Sequence, residues 1–264
     1  NVFEGIRAYL GEDGIVKPFL LDQHLSRLAT SARLMRLDQG LDVSMIRKDV
    51  LKLLKVEAPK TDIYIKIIVF TNSDGGWTYT GPVDTCVFYY EMKSALRNNV
   101  PASVEGRICS FTRIGANVNS PKVKAGANYM NSRLGYLDVN FGMMPQKPVV
   151  PVFLNKDGNI SETSGSCLFI VSENKVVTPN LNSSILPSIT RKELLNHLSA
   201  CDPELNVIEE TVDRWDLYNA KEVFVCGTNV EVASMVEVDS YRIADGNVGQ
   251  VTMRVFEYLK KAVT

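Results

Sequence analysis

The first ninety residues alternate between short apolar runs, which are typical of strands, and apolar residues at helical spacing. Apolar runs at 6–10 and 15–20 flank Asp13-Gly14, whose tolerance of positive φ predicts a hairpin. Helices are predicted at 22–37, capped by Asp22, and from Ser44, because their apolar positions recur every three or four residues. With strands predicted at 63–70 and 83–90, this part of the chain is predicted to form a small α+β unit.

A second and longer set of strands and helices follows. Its predicted strands lie at 107–113, 149–154, 159–162, 167–171, 176–178, 207–212 and 222–226. Helices are predicted at 129–141 and 249–262 and from Thr190, where Thr190 and Glu193 have the spacing of a capping box. The predicted fold class is therefore α+β in two domains. We predict a small domain at 1–93, a polar linker at 94–101, and a larger, mostly antiparallel domain at 102–264.

Composition narrows the function classes. The chain has 264 residues, of which 45 % are hydrophobic. Its formal net charge of −1 provides no positive electrostatic field that would attract nucleic acid or an anionic membrane. Its five cysteines are scattered and lack CxxC pairing, which favours a reduced, cytoplasmic compartment. With two histidines we expect no metal site. The chain begins without Met, so we expect further residues before Asn1.

Lys124 is the first candidate for chemistry. It precedes Ala125-Gly126-Ala127, where small side chains leave room for a group attached to its amine. A lysine that forms a Schiff base needs that room, together with partial desolvation or a cationic neighbour. On this stretch alone, a solvated loop lysine is the commoner case.

Three further stretches could bind charged groups. The segment 185–190 leads into a capped helix, and the segment 226–229 leaves a strand through a glycine; both could bind a phosphate through backbone N–H groups. Glu162 ends a strand before a turn of small residues, and if buried it needs a cationic partner such as a protonated pyridine nitrogen. Taken singly, each is also an ordinary connection or a solvated acid.

In this order, the stretches together resemble the class IV (fold-type IV) pyridoxal-phosphate aminotransferases, and most closely the branched-chain amino acid aminotransferases. The motifs that carry the resemblance lie at 2–9, 24–28, 124–129, 160–162, 185–191 and 226–228.

The resemblance implies roles for particular residues. Lys124 would hold pyridoxal 5′-phosphate through a Schiff base and move the proton between the substrate and the cofactor. Glu162 would pair with the pyridine N–H, and Tyr129 would contact the phenolic oxygen. The phosphate would be bound by Arg27, Ile189, Thr190 and Thr228. The substrate would be bound by Phe3, Gly5, Tyr64, Lys66, Thr228 and Asn229.

The implied reaction is ping-pong transfer of the amino group of leucine, isoleucine or valine to 2-oxoglutarate. The resemblance also implies a homodimer that acts on small molecules, without nucleic-acid or membrane partners.

Two departures leave the substrate open. Lys66 stands where the branched-chain enzymes usually carry arginine, so a single ammonium replaces a two-pronged guanidinium. Asn229-Val230 replaces a usual Ala-Ala. The alternative is another fold-type IV enzyme: a D-amino acid or amine transaminase, or an aminodeoxychorismate lyase. A cofactor-binding protein without turnover would be expected to lack Lys124 or Glu162, and both are present.

Overall fold

The computed structural model describes residues 1–76, 78–141, 148–173, 175–201 and 205–263. The chain divides into two compact units: Asn1–Ser94 with Val123–Ala127 and Ala262–Thr264, and Ala95–Lys122 with Asn128–Lys261. Both units contain helices and a β-sheet, and the predicted α+β fold class is confirmed. Within the described ranges, no helix has the length and apolar character needed to cross a membrane.

The first unit is built on a four-stranded antiparallel sheet with strand order β2-β1-β3-β4. Its elements are β1 (Val2–Leu10), β2 (Val16–Pro18), α1 (Leu21–Leu34), α2 (Val43–Glu57), β3 (Ile63–Thr71) and β4 (Val83–Glu91).

The core of the first unit lies between one face of this sheet and the two helices. In β3, every second residue from Ile63 to Val69 is fully buried, as a sheet with one covered face requires. Helix α1 buries Leu21, Leu25 and Leu28, which are spaced along a single stripe. The opposite face of β1 and β3 is therefore left to carry other side chains.

The predicted cap of α1 is wrong. The residue before the helix is Leu20, in a left-handed conformation with φ 55° and without a side-chain cap. Asp22 lies one residue inside the helix, and its carboxylate accepts a hydrogen bond from Arg47 Nε at 2.8 Å. Asp22 is therefore an acidic residue in the first turn of α1, where the helix dipole favours a negative charge.

The second unit contains a nine-stranded mixed sheet. Eight strands follow the order β10-β9-β8-β11-β12-β5-β6-β7, and β13 pairs with β12. The bounds are β5 (Ala102–Thr112), α3 (Gly126–Asn140), β6 (Val150–Leu154), β7 (Ile160–Thr163), β8 (Cys167–Ser172), β9 (Lys175–Pro179), α4 (Ile189–Cys201), β10 (Asn206–Glu210), α5 (Arg214–Tyr218), β11 (Glu222–Gly227), β12 (Glu231–Val238), β13 (Tyr241–Arg242) and α6 (Gln250–Val263).

Most strand pairs in this sheet are antiparallel. Three pairs are parallel: β5 with β6, β5 with β12, and β9 with β10. Central strands β8 and β11 are buried on both faces, which is why their sequences read as continuous apolar runs.

The predicted capping box at the start of α4 is wrong, because α4 begins at Ile189 and the Ser188 hydroxyl accepts the Arg191 N–H at 3.2 Å. Glu193 instead accepts a hydrogen bond from the Tyr258 hydroxyl.

Candidate active site

The peptide of Lys124 is held on both sides in the first unit. Its carbonyl accepts the Phe3 N–H at 3.0 Å, and its own N–H donates to the Ser31 hydroxyl at 3.1 Å. The next residue, Ala125, forms an isolated bridge with Val2. Lys124 therefore projects from a backbone fixed by the first strand and the first helix, as a reacting side chain requires.

The amines of Lys124 and Lys66 lie at the same aromatic ring. The Nζ atoms of Lys66 and Lys124 are 4.1 Å and 5.0 Å from the centroid of the Phe3 ring, within cation–π range. Burial lowers the pKa of Lys66, and the charge of Lys124 lowers it further, while Glu4 acts in the opposite direction. Two predicted site lysines thus share one partly buried environment.

The predicted substrate residues of the first unit lie on one face of its sheet. Gly5 pairs with Lys66 across β1 and β3. A Cβ at Gly5 would come within 1.8 Å of the Tyr64 hydroxyl, so only glycine allows this tyrosine its position. Tyr64 in turn stacks on Tyr90, with ring centroids 5.4 Å apart. Phe3, Gly5, Tyr64 and Lys66 are therefore brought together, with Lys124 beside them.

Arg27, the predicted phosphate residue, is fixed by a buried carboxylate. Its Nε and Nη2 donate to the two oxygens of Glu4 at 2.7 Å and 2.9 Å, and His24 Nδ1 lies 2.7 Å from the second oxygen. Burial alone raises the pKa of Glu4, but the Arg27 charge and the hydrogen bonds from His24 and Arg27 lower it to about 2. Burial lowers the pKa of His24, and because the Glu4 carboxylate can only accept, His24 donates to it from Nδ1.

In the second unit, Glu162 lies on β7 and is 4 % exposed. Its Oε1 is 2.6 Å from Arg113 Nη2, while Oε2 accepts the Leu186 N–H at 3.2 Å and faces the Cys167 thiol at 4.0 Å. Arg113 is held in turn by the Ser132 hydroxyl on α3 at 3.1 Å. The buried acid thus has the cationic partner that it needs, supplied by the protein itself.

The contact between Arg113 and Glu162 is ionic without being a well-aligned hydrogen bond. In the part of the chain that the structure describes, no donor is aligned on Glu162 Oε1. A carboxylate oxygen has two lone pairs, so Oε1 retains the capacity to accept an N–H.

The predicted phosphate residues of the second unit lie at a helix start and at a strand end. Ile189 and Thr190 open α4, whose thirteen residues give it a dipole with its positive end there. Thr228 and Asn229 follow β11, where a Cβ at Gly227 would meet the Gly165 carbonyl at 3.3 Å. The end of β11 therefore lies against the turn that follows Glu162. Tyr129 lies partly buried in the first turns of α3.

Sequence reasoning missed several partners of the predicted residues. Glu4 stands inside a recognised motif, but nothing in the motif says that it pairs with Arg27. Arg113 ends a predicted strand. The pattern of a strand does not indicate that this arginine forms an ion pair with Glu162, which lies 49 positions later in the chain. Ser31 is a small polar residue on the inner side of α1, which alone suggests only packing.

Known proteins of similar sequence and structure exist. A family model described as "Amino-transferase class IV" matches residues 1–238. The branched-chain-amino-acid aminotransferase of Escherichia coli (strain K12) is 31 % identical over 266 residues, which cover 97 % of this chain and 81 % of that protein. That of Salmonella typhimurium is 30 % identical over 262 residues, covering 97 % and 81 %.

Two solved structures share the fold. The PLP-form (holo-form) of the branched-chain amino acid aminotransferase from Thermobaculum terrenum has a TM-score of 0.89 and 32 % identity, covering 99 % of this chain and 84 % of that one. The branched-chain aminotransferase from the thermophilic archaeon Thermoproteus uzoniensis, solved with norvaline, has a TM-score of 0.86 and 26 % identity, with the same coverage.

Proposed function

Because the chain belongs to the class IV aminotransferases, we propose that it transfers the amino group of leucine, isoleucine or valine to 2-oxoglutarate with pyridoxal 5′-phosphate as cofactor. The observation that carries the proposal is the anchored Lys124, whose peptide is held by Phe3 and Ser31 and whose amine lies beside a second cation. A fixed, partly desolvated amine with a cationic neighbour is what Schiff-base chemistry requires of a lysine.

The residues present fit this cofactor. Its aldehyde needs an amine, its protonated pyridine nitrogen needs a buried carboxylate, and its phosphate needs N–H donors and a cation. Lys124 supplies the amine. Glu162 supplies the buried carboxylate, whose Oε1 can still accept a hydrogen bond from the pyridine N–H. Arg27, held by Glu4, and the first N–H groups of α4 are suited to the third.

When bound, pyridoxal phosphate supplies an electron-withdrawing ring that stabilises negative charge at the substrate Cα. Lys124 would attach the aldehyde carbon and, once displaced by the amino acid, its Nζ would take the proton from Cα and return it during the second half-reaction. Glu162 would hold the pyridine nitrogen in its protonated form. Tyr129 would donate a hydrogen bond to the phenolic oxygen.

The phosphate would be held by Arg27, Ile189, Thr190 and Thr228. Thr228 and Asn229 would offer their amides to the substrate carboxylate, as donors in fixed positions that orient the amino acid. Phe3 and Tyr64 would form apolar walls suited to a branched side chain, and Gly5 keeps Tyr64 in place. Lys66 would face the second carboxylate of 2-oxoglutarate.

Lys66 also favours a second candidate. An ammonium in place of the usual guanidinium grips a carboxylate less specifically, so a D-amino acid or amine transaminase, or an aminodeoxychorismate lyase, is the alternative on the same cofactor.

The test is an absorbance spectrum of the full chain with pyridoxal phosphate, recorded before and after L-leucine is added. We expect a band from lysine-bound cofactor that is lost with L-leucine and returns with 2-oxoglutarate. Lys124→Ala should lack the covalent band, and Glu162→Gln should keep the cofactor but lose the band more slowly with L-leucine. A band that ignores L-leucine and responds to D-leucine or an amine would favour the second candidate. A folded protein without any band would refute both.

A further inference from the structure

Helix α3 exposes large apolar side chains and buries small or polar ones. Its buried residues are Asn128, Ser132, Gly135 and Val139. The space on that side is fully used, because a Cβ at Gly135 would come within 2.2 Å of the Phe153 ring. A surface helix of a globular protein usually shows the reverse arrangement, with its large apolar residues turned toward the core. The large apolar residues on the outer side of α3 therefore do not serve the core of their own chain.

These outer residues form a single stripe, the α3 seam, which consists of Met130, Leu134, Leu137 and Phe141. Met130, Leu134 and Phe141 are 59 %, 42 % and 82 % exposed, and Leu137 is partly exposed. Phe141 continues the helical turn, because its N–H donates to the Leu137 carbonyl at 2.7 Å. At about 100° per residue, the four side chains lie within about 60° of one another and opposite the buried residues. Single apolar residues are ordinary on a surface, whereas a continuous stripe marks an interaction site.

The spacing of the α3 seam is that of a contact between two helices. Successive seam residues are four, three and four positions apart, which is the a/d spacing of a coiled coil. A narrow stripe of this kind fits along another helix, whereas a helix that lies against a core needs a broader apolar face. The order four, three, four also reads the same in both directions. Two copies of α3 can therefore pack antiparallel about a twofold axis, with each seam residue meeting a seam residue of the other copy.

We propose that the α3 seam is the surface on which a second copy of this chain binds, with the two α3 helices antiparallel across a twofold axis. Leu134 of one protomer then packs against Leu137 of the partner subunit, and Met130 packs against Phe141 of the partner subunit. Because the same surface is used by both protomers, each of these contacts occurs twice in the dimer.

The apolar area of the seam is close to what a stable dimer needs. With about 200 Å² for a whole residue of this size, the exposed parts of Met130, Leu134 and Phe141 amount to roughly 370 Å². Two copies would together remove roughly 750 Å² of this surface from water. A standard interface buries about 1,600 Å² in total, of which about 900 Å² is apolar. The seam therefore supplies most of the apolar area of such an interface.

The first experiment measures the oligomeric state. Sedimentation velocity of the purified chain is recorded over a range of concentrations in a buffer that contains pyridoxal 5′-phosphate. Leu134→Glu places a carboxylate in the middle of the seam. Tyr136→Glu is the matched control, because Tyr136 has the same 42 % exposure on the same helix but points about 160° away from Leu134 around the helix axis. Circular dichroism shows whether each variant is folded.

We expect the parent to sediment as a dimer and Tyr136→Glu to match it. Leu134→Glu should raise the dissociation constant of the dimer by about 100-fold or more, because each dimer would bury two carboxylates without partners. A parent that is monomeric over the whole range would overturn the proposal, whatever else binds to the seam. A folded Leu134→Glu protein that dimerises as well as the parent would also overturn it.

A disulfide experiment tests the register of the two helices and does not depend on the folding of Leu134→Glu. The exposed cysteines Cys86 and Cys201 are first replaced by serine. Chains with Leu134→Cys and chains with Leu137→Cys are then mixed, allowed to exchange subunits and oxidised. The antiparallel arrangement should give several-fold more cross-linked dimer in the mixture than in either chain alone. If the Leu134→Cys chain alone cross-links as well as the mixture, or the mixture does not cross-link, the proposed contact is wrong.

Discussion

Replacing Arg113 with methionine tests the buried ion pair of the second unit. The side chains of Arg113 and Glu162 are 5 % and 6 % exposed, and Nη2 lies 2.6 Å from Oε1. Among the described residues, Arg113→Met would leave the buried Glu162 carboxylate with the Leu186 N–H and the Cys167 thiol as donors. Removing one partner of a buried pair typically costs about 3–5 kcal/mol, because an uncompensated charge remains. We expect Arg113→Met to lose free energy of unfolding in that range.

The assay is urea denaturation of the purified chain, with the free energy of unfolding taken from the linear extrapolation. In the double variant Arg113→Met with Glu162→Gln the buried charge is gone as well, so part of the loss should be recovered. Lys17→Met is the control, because its partner Asp13 is exposed and the pair is solvated, so it should match the parent. A loss below about 1 kcal/mol in Arg113→Met, or no recovery in the double variant, would refute the reasoning.

Three further changes test the first unit. The pKa of Glu4 is about 2 against an ordinary 4.5. Its ionised form therefore contributes fully to the free energy of unfolding above about pH 4.5, and this contribution is lost as pH falls through about 2. Glu4→Gln should therefore lower the free energy of unfolding by about 3 kcal/mol at neutral pH. The difference in urea midpoint between the parent and this variant should become smaller as the pH is lowered. Gly5→Ala should destabilise by about 1–3 kcal/mol through overpacking, whereas Gly115→Ala, which meets open space, should not. Ser31→Ala removes the acceptor of the Lys124 N–H and should cost about 1 kcal/mol, with faster amide exchange at that position.

Sequence reasoning recovered the features that depend on neighbouring residues. The apolar stripe of α1, the alternation in β3 and the Asp13-Gly14 turn follow from local periodicity and turn chemistry. The resemblance to the class IV aminotransferases is confirmed by the family match over residues 1–238. The order of the motifs along the chain indicated the family because each motif lies on a different strand, helix or turn.

Features that depend on distant residues were not predictable. The partners of Glu162 and Arg27 come from Arg113 and Glu4, which lie on other elements, and charge type alone does not select one cation among 29 lysines and arginines. The cap at Ser188 was missed for a different reason. Thr190 and Glu193 have the capping-box spacing, whereas Ser188 has Arg191 three residues later, so the sequence pattern favoured the wrong residue.

The two hydrogen bonds that hold the Lys124 peptide join parts of the chain that are far apart in sequence. Ser31 lies 93 positions before Lys124, and Phe3 precedes it by 121. During synthesis, β1 and α1 are complete long before the segment that carries the lysine leaves the ribosome, and closing so long a loop is slow compared with forming local structure. The amine is consequently placed among the last parts of the first unit. Protection of the Lys124 amide from hydrogen exchange, which requires its hydrogen bond to Ser31, would therefore mark the time at which this long-range part of the first unit is complete.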